Sequence, residues 1–232
     1  LIVQEGDDKI FRSYFDEPPS PEKLRLKLDS LDWASKLSEQ VAELGRRISY
    51  AIQEKQEGFG HAVYCAKDWV NNDPFMLMLG DHIYKSYTDK RCAEQILDIF
   101  EKFGSCVIAV QKTPEELLRL FGTVAGERDK DNPRLYRVSE IKEKPSIEYA
   151  RKHLQVDGIE KGHYFCMFGQ YALTSGLFDC LKYHIDNDIR EKGEIQLTSS
   201  LELLRQNEKN FYAYETDGKG YDFGNPRAYV QT

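Results

Sequence analysis

No stretch of the chain approaches the ~18 consecutive apolar residues that a membrane-spanning helix needs, so no membrane partner is expected. No basic, apolar and small-residue series marks a secretory leader. Positive charge is also short. The 32 Lys and Arg stand against 39 Asp and Glu, a net charge of -7. A general nucleic-acid binder needs a basic surface, so this balance argues against a nucleic-acid partner. An anionic substrate would need locally placed Lys, Arg or metal. None of the five cysteines, Cys65, Cys92, Cys106, Cys166 and Cys180, forms a CxxC pair, and the count is odd. Free thiols in a reducing cytoplasm explain this best. No Cys/His cluster has the spacing of zinc ligands. There is no internal repeat and no low-complexity tract.

What is present suits a folded α/β protein. The 232 residues allow one large domain or two small ones. The 41% hydrophobic and 31% charged residues are ordinary for a globular chain. Leu1 to Gln4 reads as a strand, and Glu5 to Asp8 as a turn. Phe11 to Phe15 is a short apolar-polar mix before the breakers Pro18, Pro19 and Pro21. Helical spacing runs from Leu31 to Leu44, and Ile48 to Ile52 alternates as a strand. A helix is expected over 62–70, after a loop bearing Gly58 and Gly60. Such a loop at a helix start offers free N–H groups to a ligand.

The chain is organised around Phe75-Met-Leu-Met-Leu-Gly-Asp-His-Ile-Tyr84. Its unbroken apolar run reads as a strand buried on both faces, as in a parallel sheet. Asp81 would then lie at the carboxyl end of that strand, where α/β sheets gather ligands. Gly80-Asp81 alone could equally be a turn. Helices are expected over 93–103, stopped by Gly104, over 147–154 and 176–185, and after Thr198 through Leu204. Strands are expected over 106–110, 122–125, 135–141, 164–173 and 211–215. Gly169 inside its strand suggests a bulge or a close approach. Gly218 to Gly220 reads as a turn, Asp222-x-Gly224 as a second acid-plus-glycine site, and Pro226 as the start of a last helix. Alternation first and mixture later indicate a parallel-rich sheet with an appended α+β portion.

Singly, these signals are turns, solvated faces and helix-dipole partners. Their order says more. Gln53-x4-Gly58-x-Gly60-His61-Ala62, Leu79-Gly80-Asp81, Glu143-Lys144-Pro145, Gly169-x-Tyr171, Gly193-Glu-Ile-Gln-Leu-Thr198 and Tyr221-Asp222-x-Gly224 follow one another. This series closely resembles the sugar-1-phosphate nucleotidyltransferases, and among them the uridylyltransferases that act on UTP and glucose 1-phosphate. The resemblance implies the nucleotide-diphospho-sugar transferase fold. That fold is α/β, with a Rossmann-like, mixed, mostly parallel sheet flanked by helices. It implies one domain over 1–232, divided at about residue 112 into nucleotide-binding and sugar-binding parts.

It also implies site residues. Gln53 and Gly58 would contact the base, and Gly80 would belong to the substrate-binding set. Asp81 and Asp222 would hold Mg²⁺, a hard ion that takes few carboxylates plus phosphate oxygens and water. Glu143 and Glu194 would accept bonds from sugar hydroxyls, and Lys144 would meet the sugar phosphate as a point charge. Gly169 would admit the sugar, and Lys219 would add charge near phosphate. Asp81, Lys144 and Asp222 form the catalytic set, and His61 is structural. UTP, glucose 1-phosphate and the product UDP-glucose are the implied ligands, in a cytoplasmic homo-oligomer.

The chain departs from the family pattern in places. The glycine-rich loop with Arg and Lys that cradles the triphosphate is absent from it, as is the first βα unit. The expectation is therefore an N-terminally incomplete chain, inactive alone. His82 stands where many uridylyltransferases have a second acid, Gln170 where Arg is common, and Ser199 where Asp is common. The alternatives are a thymidylyl-, cytidylyl- or adenylyltransferase, or an inert sugar-nucleotide-binding paralogue.

Overall fold

The computed structural model describes residues 1–18, 31–224 and 229–230. The readings at Pro19, Pro21 and Pro226 lie outside them. Two compact units divide the chain, residues 1–69 and 70–232. Among the described residues no helix is long and apolar enough to cross a membrane.

The first unit holds β1 (Ile2–Gln4), α1 (Asp7–Asp16), α2 (Leu31–Gly45), β2 (Ala51–Gln53) and α3 (Phe59–Tyr64). β1 and β2 pair in parallel, Ile2 opposite Ala51 and Gln4 opposite Gln53. α1 replaces the expected turn and irregular stretch. Ile10, Phe11, Tyr14 and Phe15 repeat at helical spacing, and Asp7 and Asp8 suit the positive end of the helix dipole. The helix expected over 62–70 is two short ones, α3 and α4 (Lys67–Val70). Between them the Cys65 and Ala66 amides donate to the carbonyls of Ala62 and Val63, three residues back. That tighter winding ends α3.

The second unit continues with β3 (Phe75–Met78), β4 (His82–Ser86), α5 (Cys92–Phe103), β5 (Val107–Pro114), β6 (Gly122–Arg128) and β7 (Leu135–Glu143). Then come α6 (Ile147–His153), β8 (His163–Leu173), α7 (Gly176–Asp186), α8 (Leu197–Asn207), β9 (Tyr212–Glu215) and β10 (Gly218–Asp222). Six strands form one sheet in the order β3-β8-β5-β9-β7-β6.

The expected mostly parallel sheet is corrected here. β5–β9 is the parallel pairing of this sheet, and its other pairings are antiparallel. The long strand β8 lies between β3 and β5 and runs against both. β3 and β5 do run the same way, as a unit joined by α5 requires, but they are not neighbours. Hydrophobic runs report burial and not strand direction, so the sequence could not show this insertion. β3 is corrected too. Among the described residues it pairs on one side, with β8, and only Leu77 of its four residues is buried.

Val107 to Val110 are fully buried, as a strand covered on both faces must be. Val107 and Ala109 face α5, packing with Ile96, Ile99, Phe168 and Ala172. Each such large side chain contributes roughly 1.5–3 kcal/mol by leaving water. α5 starts where the Glu94 carboxylate accepts the Arg91 amide at 2.7 Å, and stops at Gly104 (φ 59°). Cys106 and Ile108 alternate to the other face. There the Cys106 thiol lies 3.5 Å from the Thr174 hydroxyl, which donates to Glu208 of the chain leaving α8. Burial pushes that thiol up to about 12, and all five cysteines are free.

His184 of α7 shares a 2.8 Å hydrogen bond with Ser200 of α8. Burial holds its imidazole below the ordinary 6.5. The unfolded chain therefore takes up the proton first as pH falls. Stability from neutral His184 is present in full above 6.5 and is lost as pH drops from there through the lower folded value. Urea unfolding at pH 7.5 and at 5.5 should show this loss, and His184→Gln should reduce it. An unchanged pH dependence in the variant would count against a neutral His184.

Candidate functional site

β4 and β10 form an antiparallel ribbon in the second unit, with Asp222 opposite His82, Gly220 opposite Tyr84 and Gly218 opposite Ser86. The turn expected at Gly218 to Gly220 is thus a strand. Both glycines lie on the ribbon face that meets the core. A Cβ at Gly220 would lie 3.1 Å from the Phe168 ring, so absent side chains here mark close packing rather than a turn. Tyr84, on the same face, packs on Phe168 with ring centroids 5.1 Å apart.

Gln95 of α5 fixes the far end of this ribbon. Its buried amide nitrogen is shared among Ser86 Oγ at 3.1 Å, Thr88 Oγ1 at 3.4 Å and the carbonyls of Lys90 and Asp217 at 3.3 Å. Its amide oxygen accepts the Asp217 N–H at 2.9 Å. Gln95→Leu strands several of these groups and should cost about 2–4 kcal/mol in chemical denaturation, summing orphaned polar groups. An unmoved midpoint would show that the ribbon end does not depend on Gln95.

At the near end the ribbon brings the two predicted acids together. Asp81 enters β4, and its carbonyl accepts the Phe223 N–H at 2.7 Å, one residue past Asp222. Oxygens of Asp81 and Asp222 and a ring nitrogen of His82 all lie within 4.8 Å of one another. His82 Nδ1 is 2.7 Å from Asp81 Oδ1. The Gly224 N–H donates to Asp222 Oδ1 at 2.5 Å. A Cβ on Gly224 would lie 2.5 Å from Asp81 Oδ2 and 3.0 Å from Asp222 Oδ1, so only glycine lets the backbone close on both carboxylates. Two carboxylates at a half-exposed edge suit a hard divalent cation that keeps water and phosphate oxygens as its other ligands. The sequence pointed to Asp81 and Asp222. It gave His82 no role, because a histidine in place of an acid carries no signal until the ribbon turns it toward them. Gly80 lies exposed just before Asp81, with open space where a side chain would be.

Lys219 is placed differently. It stands opposite Lys85 and packs its ammonium 5.1 Å from the Tyr221 ring. Strand alternation puts Lys219 and Tyr221 on the ribbon face away from Asp222.

A second cluster ends β7. Glu143 is buried, accepting the Thr198 hydroxyl at 2.6 Å and the Lys144 ammonium at 3.2 Å. A carboxylate has about four acceptor positions, so capacity remains for other donors. Lys144 has φ 39°, a left-handed conformation that costs a non-glycine residue roughly 1–2 kcal/mol. Thr198 opens α8. Glu194 lies exposed in the loop entering the same helix, its carboxylate accepting from Gln196 at 3.0 Å.

Gly169 lies between the clusters in chain order and has φ 82°. Opposite β5 the register slips between Ile108 and Val110, so the expected bulge is present at Gly169. Its carbonyl accepts both the Leu79 N–H at 3.1 Å and the Tyr84 hydroxyl at 2.9 Å. Tyr84 is raised by burial, then by the charges of Tyr171 and Asp81. Tyr171 is raised by burial and then by Glu143. The Gln170 amide oxygen is buried, with no hydrogen-bond partner among the described residues.

Gln53 and Gly58 belong to the first unit. The Gln53 amide nitrogen donates to the Gly58 carbonyl at 3.1 Å and lies 3.1 Å from His61 Nδ1. His61 therefore shapes the loop.

Comparisons with known proteins give the family and the fold. The family model described as nucleotidyl transferase matches residues 31–232. A UTP–glucose-1-phosphate uridylyltransferase of Staphylococcus epidermidis is 33% identical over 185 residues, covering 80% of this chain and 58% of the relative. The chain thus spans less than two thirds of that relative's length. UTP–glucose-1-phosphate uridylyltransferase 2 of Staphylococcus saprophyticus is 30% identical over 232 residues, 100% of this chain and 73% of the relative. A UDP-glucose pyrophosphorylase solved with UDP-glucose superposes with TM-score 0.75 at 21% identity, covering 99% of this chain and 76% of that one. A UTP-bound enzyme of the same name from Acinetobacter baumannii gives TM-score 0.70 at 22% identity, covering 100% and 73%. The fold is therefore the mixed α/β nucleotide-diphospho-sugar transferase type. With the family model matched over most of its length, the chain belongs to the nucleotidyl transferase family.

Proposed function

We propose that this chain serves the transfer of a uridylyl group from UTP to glucose 1-phosphate, giving UDP-glucose and pyrophosphate. A phosphate oxygen of the sugar phosphate bonds to the α-phosphorus of UTP, and the bond from that phosphorus to the bridging oxygen of pyrophosphate breaks. Such a displacement needs positioning and charge neutralisation more than covalent help from the protein. The observation that carries the reading is the meeting of Asp81 and Asp222 at one end of the β4–β10 ribbon. Their oxygens fit Mg²⁺, which when bound would neutralise phosphate charge.

The chain's own groups take the remaining roles. Lys144, already paired with Glu143, places a positive charge for the sugar phosphate. Glu143 and Glu194 accept sugar hydroxyls, with Gly169 beside them in the binding of the sugar. The Gln53 amide and the Gly58 loop address the pyrimidine, and Gly80 leaves space beside Asp81. Lys219 has the weakest support of the set, since it lies on the opposite ribbon face from Asp222. A cytoplasmic homo-oligomer belongs to the same reading, and light scattering on purified protein tests the oligomer.

A pyrophosphate-release assay with glucose 1-phosphate and a panel of UTP, dTTP, CTP and ATP tests the reaction, using the natural gene product that carries this chain. Release with UTP above the others is expected. Preference for another nucleotide would replace the uridylyl reading. Binding of UDP-glucose without turnover would favour the inert paralogue.

A further inference from the structure

We infer that His82 is a third donor to the cation site and sets its preference toward Mn²⁺ over Mg²⁺. The inference rests on the assignment of Asp81 and Asp222 as cation ligands. Three observations carry it. The His82 ring nitrogen and one oxygen from each acid lie within 4.8 Å of one another, so the cluster offers nitrogen as well as oxygen. The His82 side chain is only 15% exposed, against 53% for Asp81, so the imidazole is held while the acid is open to water. It is held by stacking near Tyr84, ring centroids 6.0 Å apart and planes 20° apart, and by the ribbon register that sets it opposite Asp222. Nδ1 is the nitrogen turned to the carboxylates, 2.7 Å from Asp81 Oδ1; as the Nε2–H tautomer it gives up that hydrogen bond and offers its lone pair to the cation.

The donor set has a chemical consequence. Magnesium takes oxygen ligands almost exclusively and dehydrates reluctantly. An imidazole nitrogen adds little to its binding. First-row transition ions bind mixed nitrogen and oxygen sites, and manganese, at the weak end of that series, combines a taste for carboxylate oxygen with membership of it. An Asp-His-Asp set therefore discriminates between ions that an all-carboxylate set would treat more evenly. Gly224, with no side chain, leaves the backbone against both carboxylates.

The test is spectroscopic and calorimetric, on the full gene product. Pulsed electron paramagnetic resonance of bound Mn²⁺ should show coupling to one ¹⁴N nucleus in the wild type, and none in His82→Asp. Titration calorimetry should show the ratio of Mn²⁺ to Mg²⁺ affinity falling about tenfold or more in His82→Asp. Mn²⁺ bound without nitrogen coupling in the wild-type protein overturns the inference and leaves the two-carboxylate site standing, with His82 only orienting Asp81. An affinity ratio unchanged in His82→Asp does the same. Mn²⁺ binding that survives unaltered in Asp81→Asn and Asp222→Asn removes the cation site itself, and the inference with it.

Discussion

Asp81→Asn and Asp222→Asn should each lower UTP-dependent pyrophosphate release by about 100-fold or more, the scale on which removing a charge-stabilising group acts. The amide keeps the shape of the carboxylate. In Asp222→Asn the side-chain oxygen can still accept the Gly224 N–H, now 2.5 Å away. What is lost is one negative charge from the pair proposed to hold the cation. Neither change should unfold the chain, because Asp81 is half exposed and Asp222 ends its strand. Thermal midpoints within a few degrees of wild type are therefore expected beside the activity loss. The double variant should be little worse than either single one, since groups acting as a unit are not additive. Near-normal cation-dependent turnover in both single variants would remove the two-carboxylate assignment.

Gly169→Ala should be strongly destabilising, because backbone conformation and packing both oppose the added methyl. Left-handed backbone at φ 82° costs an alanine roughly 1–2 kcal/mol. Its Cβ would also lie 2.6 Å from the Tyr84 hydroxyl and 2.9 Å from Leu79 Cδ1. Overlap this deep makes something shift, and a total near 3 kcal/mol or more is expected. Tyr84→Phe separates the two causes. It removes the overlapping oxygen, while the Gly169 carbonyl keeps its bond from the Leu79 N–H. The double variant should thus be about 1 kcal/mol or more better than the sum of the singles, a coupling of the size seen between touching groups. Strict additivity would mean that the overlap with the Tyr84 hydroxyl adds nothing, leaving backbone conformation and the Leu79 contact as the causes.

Legibility in the sequence followed locality. α5 was readable from its apolar spacing and the Gly104 stop, and the core strand β5 from a run that burial on both faces requires. The Gly169 bulge was readable because a glycine in a strand has few other uses. β4 and β10 were not readable as a ribbon. Their residues find each other across most of the second unit, and a short polar strand, with two glycines in β10, resembles a loop until its partner is known. The direction of β8 was hidden for the same reason, and with it the antiparallel character of the sheet. The acids Asp81 and Asp222 were legible only through the order of motifs along the chain. Lys219 and His82 show what that order lacks. Strand alternation turns the first away from Asp222, and register turns the second toward it.

The most direct measurement is an anomalous difference map from crystals of the gene product grown with Mn²⁺, UTP and no sugar phosphate. The expected result is a peak in contact with carboxylate oxygens of both Asp81 and Asp222. A manganese peak elsewhere on the protein, with those two carboxylates bare beside bound nucleotide, would contradict it.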